Sequence, residues 1–502
     1  MIIGALFYYN TVCRPFNVTT SFATANFPLL LLLHFQNSQR MRFLHTSDWH
    51  LGRLLYNQQR YAEFSVFLDW MLQAIVDQQI ELLIVAGDVF DTSTPSNRAL
   101  TLYYDFLYRV SLTSCRNVVI VGGNHDSPSV LNAPAAVLRA LHVHVVGEIS
   151  GDVADELITL RDEQGSPQAI VCAVPFLRDR DVRSVVSGDG VDTRQEQLTN
   201  GIVEHYRQVA EKADELRRRL VAEKAEALPH RIVAENPEKL QRIAEGGIPV
   251  IATGHLFTQS QRTEEFEGEG VRDLYVGTLA YINAGLFPAT FDYIALGHIH
   301  QPQRVGGKEH IRYSGSPLAM GFREALYTKK VVVVDVSIGE NEKQDTIFPQ
   351  SNEPATLGDR NTENVPANKP ISNLTIVELE VPVFQSLLRV AGDFAAICDR
   401  LLQLKAEGST AWLEIELTST ELVPALTEEI QKLLEGSAMQ ALKIKNRNFA
   451  AHSLQTTDEI RSLDDLTELE VFENCMADNK VPEEEREEMR ESFKEILLTV
   501  SG

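Results

Sequence analysis

Five short apolar runs in this chain each stop abruptly on a cluster of glycine, histidine or carboxylate residues. That recurrence limits the possible fold more than any other feature. The clearest run is Val118–Asp126, VVIVGGNHD, where β-branched and aliphatic residues read as a buried strand and the glycines end it sharply. A strand that finishes on Asn124, His125 and Asp126 aims three polar groups at one point. In α/β proteins that point, outside the carboxyl ends of the strands, is where ligands sit. The pattern recurs at Arg42–Thr46 before Asp48 and His50, and at Glu81–Ala86 before Gly87, Asp88 and Asp91. It recurs again at Pro249–Thr253 before Gly254 and His255, and at Asp292–Leu296 before Gly297, His298 and His300. Loops are polar in any protein, so one or two such clusters would need no further account. Five of them predict an α/β domain whose strand ends converge on a single site.

Helices alternate with these strands. Tyr61, Phe64, Phe67, Leu68, Met71 and Ile75 recur at helical spacing and predict a helix over Tyr61–Gln79 with one buried face. A second amphipathic helix is predicted at Asn97–Val110, and further strands at Gln168–Val174 and Lys329–Val336. From about 178 to 247 the chain turns charged and helical, which predicts a solvated surface insertion in a domain spanning 41–338. Residues 339–370, rich in Asn, Glu, Pro and Thr, read as a flexible linker. A small α+β module at 371–448 follows, read as β-α-β-α-β over Leu374–Val381, Phe394–Leu404, Ala411–Leu417, Leu422–Leu434 and Leu442–Ile444. The tail, 449–502, predicts two acidic helices at Leu463–Cys475 and Glu484–Leu498. The second carries an apolar stripe of Met489, Phe493, Ile496 and Leu497. So short a pair buries little surface by itself, so it is expected to dock either on the rest of the chain or on a partner, a partner being favoured.

Composition narrows the class. The 502 residues carry a formal net charge of −24, which argues against a protein that coats DNA by itself, since phosphate binding draws on clustered Lys and Arg. Fifteen acidic residues face five basic ones between Asp458 and Glu495, so part of the acidity is confined to the tail. Cys13, Cys115, Cys172, Cys398 and Cys475 are scattered and odd in number, a pattern that fits a reducing compartment with neither a disulfide framework nor a zinc ribbon. Residues 1–40 contain no acidic residue and only one short apolar run, Leu29–Leu33, too short to span a bilayer. They are expected to be an over-extension of the reading frame or a disordered leader, in preference to a real targeting segment, with no membrane association.

The chemistry lies in the donor inventory: Asp48, His50, Asp88, Asn124, His255, His298 and His300. Hard divalent ions such as Mn²⁺ accept carboxylate, amide oxygen and imidazole together. Two neighbouring ions sharing one bridging carboxylate can stabilise both the attacking and the leaving oxygen of a phosphoryl displacement. Asp88, after its glycine at a strand end, is the natural bridge, and His298 and His300 could reach different ions. If Asn124 is a ligand, His125 stands beside the phosphate, suited to give a proton to the leaving oxygen. Trp49 either stacks on a nucleic acid or packs beside the metal loop, with packing favoured; Asp91 and Asp126 read as supporting or loop-capping groups.

In order, DxHLG, GDxFD, GNHD, GH and GHxHxP resemble the five signatures of the calcineurin-like metallophosphoesterases. The fuller strings SDWHLGR, VAGDVFDTSTPS, GGNHDSP, ATGHL and YIALGHIHQPQ, followed by YSGSPLAMGF, resemble the bacterial SbcD nucleases, relatives of the Mre-type repair nucleases. The likeness is strong over Met41–Val336 and weaker through the small module, which resembles the family's capping domain, and into the tail. It implies a two-sheet β-sandwich flanked by helices, with a small α+β cap and a helical C-terminal tail. By the same resemblance Asp48, His50, Asp88 and His300 would hold one Mn²⁺, and Asp88, Asn124, His255 and His298 the other, Mg²⁺ being an alternative metal. His125 would be the catalytic histidine. The family implies a DNA nuclease with 3′–5′ exonuclease activity on double-strand ends and endonuclease activity on hairpins and single strands, acting in DNA repair, recombination and replication. It implies a homodimer within a heterotetramer, partnered by a coiled-coil ATPase of the SMC type, SbcC, in the bacterial cytoplasm. Such a partner would supply the basic groove that a chain of net charge −24 lacks. Two rival readings use the same residues. A small-molecule phosphodiesterase or protein phosphatase would share the two-metal core, though protein phosphatases usually carry GNHE where this chain has GNHD. A non-catalytic scaffold would be expected to have lost some of the donors. The leader, the helical insertion and the long linker depart from the family pattern and bear on where the cap sits and on the DNA path.

Overall fold

The computed structural model describes residues 40–182, 191–226, 248–258, 285, 287–338, 372–419, 423, 425–446, 486 and 490. Residues 1–39, the expected linker and nearly all of the expected tail lie outside them. The described residues divide into two compact units, one of those up to 388 with 410–412, the other of 389–409 with those from 413 onward.

In the larger unit, β1 (Arg40–Thr46) is followed by a two-residue hairpin of β2 (Leu54–Leu55) and β3 (Gln58–Gln59). Then come β4 (Leu82–Ala86), β5 (Asn117–Val121), β6 (Val143–Val146), β7 (Leu157–Arg161) and β8 (Pro167–Cys172). Past the long helix Val191–Glu226 lie β9 (Val250–His255), β10 (Tyr293–Gly297), β11 (Gln303–Val305), β12 (Lys308–Tyr313), β13 (Lys330–Ile338) and β14 (Ser372–Glu380). They form two six-stranded sheets, ordered β14-β13-β1-β4-β5-β6 and β11-β12-β10-β9-β8-β7. In the first sheet β1, β4, β5 and β6 run parallel; in the second, β8, β9, β10 and β12 do.

Alternation along each strand builds the layers, because successive side chains point to opposite faces. Leu82 and Ile84 of β4, Val119 and Val121 of β5, Ile251 of β9 and Tyr293 and Ala295 of β10 meet in one core between the sheets. Their neighbours Leu83, Val85, Val118 and Ile120 turn the other way, into a second core with the helices Tyr61–Asp77 and Asn97–Val110. Ser96 caps the latter helix, its hydroxyl accepting from the Ala99 N–H at 3.2 Å. On the far side, Val250, Ala252, Ile294 and Leu296 pack in a third core with Val191–Glu226. The result is the helix-flanked two-sheet sandwich that the resemblance implied.

Three expectations are corrected here. The charged stretch is no mere solvated excursion: Leu198, Ile202, Tyr206, Val209, Ala213 and Leu220 lie on one helical face and are buried against the second sheet. The Tyr206 hydroxyl donates to the Thr253 carbonyl at 2.9 Å, and His205 Nε2 lies 2.9 Å from Glu156 Oε2. Secondly, Leu374–Val381 is not the first strand of the small module. As β14 it pairs antiparallel with β13 over Lys330–Ile338 and is the edge of the first sheet, because its residues from Leu374 to Glu380 match β13 in register. The three-stranded sheet of the module is β15 (Leu387–Gly392), β16 (Trp412–Leu417) and β17 (Gln440–Asn446), with helices Phe394–Ala406 and Leu426–Leu434 between them. Thirdly, β6, β7, β11 and β12 were not anticipated, since these short strands at or beside sheet edges lack long apolar runs. In the smaller unit Leu413, Ile415 and Leu417 are buried with Ile397, Leu401 and Ile430, whereas Glu414 and Glu416 on the opposite parity pair with Lys445 and Arg389.

Candidate metal centre

β1, β4 and β5 are parallel neighbours, as are β9 and β10, so five carboxyl ends open at one edge of the sandwich. Main-chain bonds then stitch the first two loops together: Asp48 N–H donates to Gly87 O and His50 N–H to Asp88 O, both at 3.0 Å. Asp48, His50, Asp88 and His298 all have positive φ, at 52°, 47°, 50° and 95°. Such backbone costs a non-glycine residue about 1–3 kcal/mol and persists where the surroundings over-determine it, most often at functional sites. The glycines of the motifs have a concrete steric cause. A Cβ on Gly87 would lie 2.2 Å from His255 Nδ1, and one on Gly123 would lie 2.1 Å from Asp88 Oδ1.

All seven expected donors and His125 come together. Asp48, His50 and His300 each offer an atom within 4.8 Å of the others, and so do Asp48, Asp88 and His255. His50 Nε2 faces His300 Nε2 at 3.1 Å and Asp88 Oδ2 at 3.6 Å. On the other side Asp88 Oδ2 lies 3.3 Å from His255 Nε2, and Asn124 Oδ1 lies 3.0 Å from both His255 Nε2 and His298 Nδ1. Asp88 therefore faces both groups. Two imidazole nitrogens turned towards each other, beside carboxylate and amide oxygens, form a donor set that fits divalent cations of the Mn²⁺ type. Two of the outward nitrogens are held in the way metal-ligating imidazoles usually are. His300 Nδ1 lies 2.8 Å from Glu324 Oε1 and His255 Nδ1 2.9 Å from the Ala86 carbonyl, whereas His50 Nδ1 lies 3.5 Å from Asp91 Oδ1 without forming a hydrogen bond.

Burial and charge set the protonation. Burial lowers the pKa of His50, and burial with the adjacent His255 lowers that of His298 to about 4, so both are neutral, the form that can ligate. Burial opposes the charge of His255, but the Asp88 carboxylate outweighs it and raises the ring to about 9. Asp88 is buried too, yet the charged His255 beside it holds its carboxyl well below the usual range.

His125 stands at the rim of the cluster. Its main-chain N–H donates to Asp88 Oδ1 at 2.9 Å, its Nδ1 lies 2.9 Å from the Asp91 carbonyl, and its ring meets His50 edge-on with centroids 4.9 Å apart. Trp49 is fully buried, edge-on to Phe67 and Phe106, with its indole N–H donating to Thr46 Oγ1. It packs beneath the loop, and stacking on a nucleic acid is excluded. Asp126 caps the loop as expected, accepting from the N–H groups of Val89, Phe90 and Gly123. Burial and the nearby Asp88 push its carboxyl up to about 6. Asp91 pairs with Arg53 at 2.8 Å as well as lying by His50. Reading by motif missed Ser47, Ser314, Glu324 and Lys329. Ser47 Oγ donates to Asp48 Oδ2 at 2.5 Å and lies 2.8 Å from Ser314 Oγ. The string YSGSPLAMGF pointed to Ser314 only as part of a resemblance, and nothing in local spacing marks Glu324 or Lys329.

Comparison with known proteins covers the stretch of chain that carries these residues. The calcineurin-like phosphoesterase family matches residues 41–302, and the type 5 capsule protein repressor C-terminal domain matches 383–480. The SbcD subunit of the nuclease SbcCD from Escherichia coli (strain K12) is 32% identical over 464 residues, covering 92% of this chain and 99% of its own. Its counterpart of the same name from Rhodobacter capsulatus is 34% identical over 305 residues, 60% of this chain and 67% of its own. That from Bacillus subtilis (strain 168) is 30% identical over 315 residues, 62% and 71% respectively. With similarity running nearly end to end and the phosphoesterase family matching over half of its length, the chain belongs to the SbcD nuclease family, within the calcineurin-like metallophosphoesterases.

Proposed function

We propose that this chain hydrolyses DNA phosphodiesters with two Mn²⁺ ions, or Mg²⁺ in their place, as the nuclease subunit of a complex with a coiled-coil ATPase of the SbcC type. The observation that carries the reading is Asp88, which faces two donor groups at once and has His125 alongside. Asp48, His50, Asp88 and His300 would hold one ion, and Asp88, Asn124, His255 and His298 the other. Ions held there would supply positive charge to a phosphoryl displacement. His125 acts as the imidazolium: the Asp91 carbonyl accepts from Nδ1–H and keeps that nitrogen out of the exchange, so the second proton, on Nε2, goes to the leaving oxygen and the ring is left neutral. The main-chain bond from His125 to Asp88 couples the position of the acid to the bridging carboxylate. The net charge of −24 supports a partner that contributes the basic surface for DNA, and the acidic tail is the segment assigned to dock on it. A homodimer within a heterotetramer completes the proposed assembly. Cys115 and Cys172 are unpaired and buried, which supports a cytoplasmic setting. No helix among the described residues is long and apolar enough to cross a membrane.

The test is digestion of end-labelled linear duplex DNA in Mn²⁺ by the wild type and His125→Asn, with and without the ATPase, and with a small aryl phosphodiester in parallel. Mn²⁺-dependent shortening of the duplex, absent in the variant, is expected. Cleavage of the small diester with the DNA left intact, even with the ATPase present, would move the assignment to a small-molecule phosphodiesterase.

A further inference from the structure

The loop after β12 contains a buried ion pair that the proposed reaction does not use. Lys329 Nζ donates to Glu324 Oε2 at 2.5 Å and to Ser316 Oγ at 2.9 Å. The same carboxylate oxygen accepts from Ser316 Oγ and from the Met320 main-chain N–H, each at 3.1 Å, while its other oxygen lies 2.8 Å from His300 Nδ1. The main chain of His300 is gripped as well. Its carbonyl accepts from the Ser316 N–H at 3.1 Å and from Lys329 Nζ at 3.4 Å. Gly315, at φ +76°, lets the loop pass this close, since a Cβ there would lie 2.7 Å from the same carbonyl. His300 is thus held at its ring and at its backbone by one small network, and its Nε2 is left facing His50 Nε2.

A buried ion pair is weak evidence for a stabilising role, since well-packed apolar residues often do as well. A carboxylate on the outward nitrogen of a metal-ligating imidazole has a more specific effect: it fixes the tautomer and raises the basicity of the inward nitrogen. We infer that Glu324 and Lys329 are positioning residues for one of the two metal sites, Glu324 orienting the His300 ring and Lys329 anchoring both Glu324 and the His300 carbonyl. This rests on the reading of His300 as a ligand.

The experiment is a calorimetric Mn²⁺ titration of the full chain, with the electron paramagnetic resonance of bound Mn²⁺ and the metal-free unfolding midpoint recorded alongside. The proteins are wild type, Glu324→Gln, the double variant Glu324→Gln/Lys329→Met and His300→Ala. The double variant removes both buried charges together, so that neither is left uncompensated. Wild type should bind two ions and His300→Ala should lose one tight site. Glu324→Gln and the double variant should weaken that one site about 10–100-fold and leave the other unchanged, the double variant keeping the wild-type midpoint without metal. Two wild-type sites in the double variant, with one lost in His300→Ala, would overturn the positioning role and leave the metal reading standing. Two wild-type sites in His300→Ala would overturn both. Equal weakening of both sites, or a fall in midpoint that tracks the loss of affinity, would make the network a general brace and overturn the inference.

Discussion

The Asp88 carboxylate meets the site with both oxygens: Oδ1 accepts the His125 N–H, while Oδ2 faces His50 and His255. Removing it takes a donor from both groups, so Asp88→Ala should lose metal binding as well as hydrolysis. A ligand present at about 100 times its dissociation constant stabilises the native state by about 2.7 kcal/mol. Mn²⁺ at that level should therefore raise the thermal midpoint of the wild type and leave Asp88→Ala unmoved. Equal Mn²⁺ binding by the two proteins would sink the bridging role. His125→Asn should behave differently, keeping the Mn²⁺-induced rise in midpoint while hydrolysis falls by about 10²–10⁴-fold, the contribution typical of a positioned proton donor. These motif residues were legible in the sequence because each lies just beyond an apolar strand. Glu324 and Lys329 were not, because they reach His300 across a loop and carry no spacing signal of their own.

At the scale of the element, the helix Val191–Glu226 separates two properties that its charge-rich sequence blends. Its outward face carries Arg207 with Glu204 and Glu211, all exposed, and such pairs contribute little. Its inward face places Ile202 and Val209 in the core against the second sheet. Ile202→Ala should lower unfolding stability by about 2–5 kcal/mol, whereas Arg207→Ala should stay within about 0.5 kcal/mol. Denaturant unfolding midpoints at constant slope distinguish the two, and equal effects would return the helix to a surface excursion. The spacing of Leu198, Ile202, Tyr206, Val209, Ala213 and Leu220 was in the sequence throughout. What hid it was the density of Glu, Lys and Arg between those positions, which made the stretch read as solvated on every side.

Across the larger unit, a tie joins the two sheets near their edges. Arg312 of β12 pairs with Glu378 of β14 at 2.5 Å, and Lys330 of β13 reaches the same carboxylate at 2.7 Å. The hydrogen bond from Lys330, against the opposing effect of burial, and that from Arg312 hold the Glu378 carboxyl below its ordinary value of 4.5. A carboxylate lowered in the folded state contributes stability that is present above its unfolded pKa and lost as pH falls through the folded one. Glu378→Gln should therefore unfold more easily than wild type at pH 7. The difference should be no more than about 1 kcal/mol, because the side chain is over a third exposed. The gap should close as pH drops below 4.5. A gap that persists unchanged into acid would show that packing, not charge, is what the substitution removes.

Sequence by itself determined the alternation of buried strands and helices, the eight polar residues at the strand ends and the family they belong to, because these depend on local periodicity and on residue types at short spacing. Only the tertiary structure decided what covers the second sheet, which sheet claims β14 and which side chains hold His300 from behind. Leu374–Val381 reads as a strand in any context, and its pairing with β13 is settled by hydrogen bonds to a partner more than thirty residues earlier. Those outcomes turn on contacts between distant segments, whose energy depends on a partner that no local pattern names.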